Sequence, residues 1–124
     1  MSLVVARAYF SLVRFELFLV RGNFSGLYEA VRRKPCRPRS DAHFTAEKIC
    51  YAIDLACIWY WKHVLCLQRS AATACLLRRD GIPAELVIGT QTVPFKAHAW
   101  VEVEGRIVND KSYLHEIYAE LDRC

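Results

Sequence analysis

No C-x-x-C pair occurs among the six cysteines of this 124-residue sequence, which speaks against a zinc ribbon and a thioredoxin-like dithiol. His43, His63 and His115 lack metal-ligand spacing with those cysteines, so neither a metal nor a cofactor is expected. Nor is there a long unbroken apolar run. Arg7, Arg14 and Glu16 interrupt the stretch from Met1 to Val20, and no small-residue cleavage site follows it. A membrane span and a secretory signal are therefore not expected. Cys50, Cys57 and Cys75 fall on apolar helical patterns, where cysteine acts as a small hydrophobe. Free thiols in a reducing cytoplasm are the default reading. Internal repeats and low-complexity tracts are missing too. The net charge is only +4, with the excess at Arg32, Arg33, Lys34, Arg37 and Arg39, and again at Arg78 and Arg79. No nucleic-acid motif accompanies this run, so nucleic acid is not an expected partner. An acidic peptide or a protein surface fits it better, beside the plain reading of a solvated helix end.

What is present has the size of one domain with one apolar core. The expected division is a helical extension over 1–40 and a catalytic core over 41–124. Leu3–Arg21 reads as a helix stopped by Gly22 and Asn23, and Phe24–Arg33 as a second. Lys34–Asp41 is a basic, proline-containing connector. Thr45 is a good N-cap for a helix ending near Trp61–Val64. A further helix starts close to Cys66 and stops at Gly81 and Pro83. The period then changes. Ala84–Thr90 reads as a strand, Gln91–Lys96 as a loop, Ala97–Glu104 as an alternating strand and Arg106–Asp110 as a third strand, with a closing helix over Tyr113–Leu121. In the alternating strand, Ala97, Ala99, Val101 and Val103 share one face, and His98, Trp100, Glu102 and Glu104 the other. Helices followed by a small antiparallel sheet make an α+β fold.

One constellation carries chemistry. A cysteine nucleophile needs a base and a group that orients the base. Cys66 sits at an expected helix start, where free N–H groups and the helix dipole favour a thiolate and an oxyanion. His98 lies on a strand beside small alanines, and Asp110 ends the neighbouring strand. Each has a bland alternative: a buried helix cysteine, a satisfied strand histidine, a turn-forming aspartate. Gln68 is a candidate second oxyanion donor, although its place after the cysteine is against it. Arg69 and Arg78 would pair with acids of a substrate or be solvated, and Glu102 and Glu104 would face solvent or Arg106. Trp59-Tyr60-Trp61 reads as core or cleft wall.

Cys66-Leu-Gln-Arg-Ser70, Leu76-Leu-Arg-Arg-Asp-Gly-Ile-Pro-Ala-Glu-Leu86, Pro94-Phe-Lys-Ala-His-Ala-Trp-Val-Glu-Val103 and Gly105-Arg-Ile-Val-Asn-Asp110, in that order, resemble the transglutaminase-like leader peptidases of lasso-peptide biosynthesis. The resemblance runs from about Cys66 to Asp110, more loosely through the N-terminal helices. It implies a papain-like, transglutaminase-like core in which Cys66, His98 and Asp110 are the catalytic triad of a cysteine protease. It also implies a stand-alone endopeptidase of a split system, located in the cytoplasm. The implied partners are the leader of a precursor peptide, a separate leader-binding protein (a RiPP recognition element) and a ring-closing cyclase. Transglutaminase-type acyl transfer shares the chemistry up to the acyl-enzyme, and a non-catalytic peptide-binding module is the reading from outside enzymology.

Two finer expectations follow. The N-terminal helix with the connector from Arg32 to Arg39 is the expected partner surface. For His98 and Asp110 to share a face, the triad reading predicts a three-residue loop, Val103-Glu104-Gly105, or an equivalent bulge, with Gly105 at positive φ.

Overall fold

In a computed structural model, residues 2–36, 45–92 and 94–124 are described; Arg37 and Arg39 of the basic connector, and His43, lie outside them. The order is α1 (Ser2–Val20), α2 (Phe24–Arg33), α3 (Ala46–Trp59), α4 (Cys66–Arg79), β1 (Ala84–Thr92), β2 (Phe95–Val103), β3 (Arg106–Ile107), α5 (Leu114–Ile117) and β4 (Ala119–Arg123). This is an α+β fold with one antiparallel sheet in the order β3-β2-β1-β4.

The helix ends follow local chemistry. Helix α1 closes in a Schellman arrangement: Asn23 N–H reaches Phe18 O at 2.8 Å and Gly22 N–H reaches Leu19 O at 3.0 Å, with Gly22 at φ 67°. Helix α4 ends the same way at Gly81, where Ile82 N–H meets Leu77 O at 2.9 Å. Thr45 Oγ1 caps α3 by accepting from Lys48 N–H at 3.3 Å. Helix α3 stops at Trp59, earlier than the sequence suggests, with Tyr60 already extended as C-cap.

Helix α4 is the centre of the molecule. Gln68 and every residue from Ser70 to Arg78 are buried, because α1 and α3 cover one side and β1 and β2 the other. Ala71, Ala72 and Ala74 allow that close approach. Ala8, Leu12 and Phe15 of α1 belong to the same core as Leu86, Ala99 and Val101 of the sheet. On the far face of the sheet, Val87, Trp100 and Leu114 form a smaller cluster, edged by Ile107 and Tyr118. The alternation along β2 thus divides its side chains between faces as the period of two requires.

In the sheet region the structure corrects the sequence reading in four places. The β1–β2 ladder continues to Thr92↔Phe95, so the Gln91–Lys96 loop is largely strand. The third strand is only Arg106–Ile107. Tyr113–Leu121 is not one helix: a single turn, α5, leads into β4, which satisfies the open edge of β1 through a bulge between Ile88 and Gly89. That edge, and Arg123 reaching Glu85 and Glu102, override local helix preference. Fourth, β2 and β3 pair Val103 with Arg106, so the turn has two residues rather than three. Glu104 at φ 52° and Gly105 at φ 79° give it the doubly left-handed form that suits strand twist. Gly105 is at positive φ as expected, within a different turn. A left-handed Glu is strained, so Glu104→Asn is expected to stabilise the fold by about 1 kcal/mol; thermal unfolding checks this.

Candidate active site

Cys66 is the first residue of α4. The N-cap, Leu65, has no capping side chain, and the first intrahelical bond is Arg69 N–H to Leu65 O at 2.9 Å. The N–H groups of the first turn are therefore left unused by the helix. They form a ready anion site at the thiol, reinforced by the helix dipole. The start of α4 is fixed by Gln68, whose Nε2 donates to Leu12 O at 2.8 Å and to Tyr60 Oη at 3.3 Å. Gln68 is buried in this network with Glu16. It is thus an anchor of the helix and not the second oxyanion donor.

His98 and Asp110 meet: Nε2 lies 2.7 Å from Asp110 Oδ2. A carboxylate only accepts, so Nε2 donates this bond, which leaves Nδ1 as the nitrogen available to a thiol. No described residue is hydrogen-bonded to Nδ1. Burial pushes the Asp110 carboxyl up, but the bonds from His98 and Lys111 N–H, with the His98 and Arg69 charges, outweigh it and hold it below the ordinary carboxylate value. The imidazole stacks on Tyr118 with ring centroids 5.5 Å apart. Cys66 and His98 line one apolar cleft of about 140 Å³ with Phe24, Leu67, Ile88, Ala97 and Ala99. Among the described residues no hydrogen bond joins the Cys66 thiol to the imidazole. The structure therefore brings His98 and Asp110 into contact and sets Cys66 in the same cleft.

The sequence profile described as the transglutaminase-like superfamily matches residues 10–123. The chain belongs to the transglutaminase-like superfamily. A 45-residue stretch is 49% identical to the microcin J25-processing protein McjB of Escherichia coli, covering 36% of this chain and 22% of that protein. No solved structure matches the chain.

In this member of the transglutaminase-like superfamily, Asp110 reaches His98 by a bend, not by strand register. The two-residue turn would place Asp110 opposite Ala99, on the wrong face. The ladder survives to Val108 N–H on Val101 O at 3.0 Å and then breaks. Asn109 replaces the next backbone acceptor: its Oδ1 takes Val101 N–H at 2.8 Å, its Nδ2 donates to Ser70 Oγ at 3.1 Å, and its carbonyl accepts from Arg69 at 3.0 Å. Ser70 Oγ in turn donates to Ala99 O. This buried clamp ties α4, β2 and the Asp110 bend together. Sequence reading missed Asn109; its signal was a polar residue just before the aspartate in an otherwise apolar strand pattern.

Other side chains also differ from expectation. Glu102 is buried, accepts from Trp100 Nε1 at 2.9 Å and pairs with His115 and Arg123, because its face of β2 is covered by α5 and β4. Arg78 is buried and donates to Ala84 O and to the carbonyls of Val31, Lys34 and Cys124. Arg69 bridges Asp54 and Asn109 O. Tyr60 is buried while Trp59 and Trp61 are exposed, and none of the three lines the Cys66 cleft. Phe24, which sequence reading did not single out, does.

Gly89 faces His98 across the β1–β2 ladder. A Cβ there would lie 2.5 Å from Trp100 and 2.8 Å from the Tyr118 Cβ. Gly89→Ala is expected to destabilise by about 1–3 kcal/mol through overpacking, read as a lowered denaturation midpoint.

Proposed function

We propose that the chain is a cysteine endopeptidase that removes the leader from a lasso-peptide precursor, with Cys66 as nucleophile, His98 as general base and Asp110 as the residue that orients it. The observation that carries this is the His98–Asp110 pair at 2.7 Å beside a cleft that Cys66 shares at an uncapped helix start. Membership of the superfamily and the partial likeness to a microcin-processing protein support the same reading. Among the described residues no helix is long and apolar enough to cross a membrane; the cytoplasm, and the single catalytic domain with a helical extension, are part of the proposal.

The thiol gives its proton to His98 Nδ1 as Sγ attacks the scissile carbonyl carbon. The carbonyl oxygen becomes an oxyanion against the N–H groups of the first α4 turn. Collapse breaks the C–N bond, and His98 passes the proton to the leaving amine. Water then attacks the thioester, giving its proton to His98, and Cys66 leaves as thiol with the carboxylic acid released. Asp110 holds the tautomer throughout and faces the imidazolium as it forms. In a substrate-free site the thiol–imidazole bond is commonly long and tightens only on substrate.

The proposed partners are the precursor leader, a separate leader-binding protein that raises the local substrate concentration, and the cyclase that receives the product. The test is incubation of the purified chain with its precursor, with and without the leader-binding protein, followed by intact mass. The expected result is two fragments, formed faster with the partner. An intact precursor under both conditions contradicts the proposal, and an amine adduct in place of the acid identifies transfer instead.

A further inference from the structure

The outward face of α1 is unlike a solvated helix surface. Leu3, Arg7, Phe10, Arg14 and Leu17, with Arg21 in the turn just after α1, follow one another at alternating steps of four and three along the chain. All six are exposed, with Leu3, Phe10 and Leu17 at 62%, 76% and 51%. Residues at this spacing form one narrow file, the spacing of a seam between two helices. The acid of the helix, Glu16, lies on the inward side, bonded to Lys62 and Tyr60. The file therefore alternates apolar and cationic groups with no carboxylate of its own. Asp80 shares the hollow beside Arg7, together with Arg79, so that end is also net positive. A large exposed apolar file of this kind marks an interaction surface.

We propose that this face docks an acidic amphipathic helix of a partner protein, in which carboxylates alternate with apolar residues at the same steps. Charge complementarity selects this occupant. A second copy of the chain would bring three further arginines and no carboxylate to the seam. A membrane surface favours a continuous apolar face with basic flanks, whereas here the arginines stand within the apolar file.

The test uses the full chain and two synthetic helical peptides. One alternates Leu and Glu at steps of four and three; the other carries Lys for Glu. Fluorescence anisotropy is expected to show saturable binding of the acidic peptide alone, weakening with salt. Arg14→Glu and Phe10→Ser are each expected to weaken it about tenfold, with thermal unfolding unchanged because both side chains are exposed. No saturable binding of the acidic peptide, equal binding of both peptides, or indifference to both substitutions overturns the proposal. So does self-association through this face, or preferential sedimentation with phosphatidylglycerol vesicles.

Discussion

Cys66→Ala is expected to leave a folded chain whose precursor cleavage falls by at least about 10⁴-fold. Only one sulfur is lost, and alanine is the best helix former at the start of α4. Gln68, anchored on Leu12 O and Tyr60, still fixes the helix start. His98→Ala is expected to be about as severe, and the double variant no worse than either single one, because nucleophile and base act as a unit. Asp110→Asn keeps an oxygen for the Nε2 proton and loses the negative charge, so a milder fall of about 10²-fold is expected. Single-turnover cleavage, with circular dichroism to establish folding, measures all four.

Outside Cys66, His98 and Asp110, Asn109→Ala has the largest expected effect. It removes the acceptor of Val101 N–H and the donor to Ser70 Oγ, leaving buried polar groups unpaired at a cost of about 1–3 kcal/mol. It also frees the bend that delivers Asp110. A displacement of the orienting carboxylate by about 1 Å lowers kcat by about 10²-fold, while KM changes little, since Asn109 is buried and does not line the Cys66 cleft. Asn109→Asp retains the acceptor and is expected to recover part of kcat. An equal change in kcat and stability-corrected activity for Ala and Asp would assign Asn109 a purely structural role.

The legible parts of this chain were those set by local chemistry. Gly22 and Gly81 announce helix ends, Thr45 announces a cap, and the alternation from Ala97 to Glu104 divides the faces of β2. Cys66 and His98 were placed by the same signals, a helix start and a strand. Partners distant in sequence were not legible. Glu102 looks exposed until Arg123 and His115 arrive from the C-terminal segment, which itself read as helix because the open edge of β1 cannot be seen in sequence. The pairing of Asp110 with His98 was expected for a different geometric reason. Register arithmetic asks for a three-residue loop or an equivalent bulge at the turn, whereas a buried amide further along interrupts the ladder and turns the chain.

Selective alkylation of the six cysteines tests the central claim most directly. Burial pushes the thiols of Cys75, Cys57 and Cys124 up, and that of Cys50 to about 11; Cys36 is exposed. Thiolate, not thiol, reacts, so Cys36 is the internal reference for an exposed thiol outside the Cys66 cleft. Iodoacetamide at neutral pH, with modification located by peptide mass, is expected to label Cys66 ahead of Cys36, and His98→Ala is expected to remove that advantage. Labelling of Cys66 no faster than Cys36, or a Cys66 rate untouched by His98→Ala, would contradict a Cys66–His98 nucleophile.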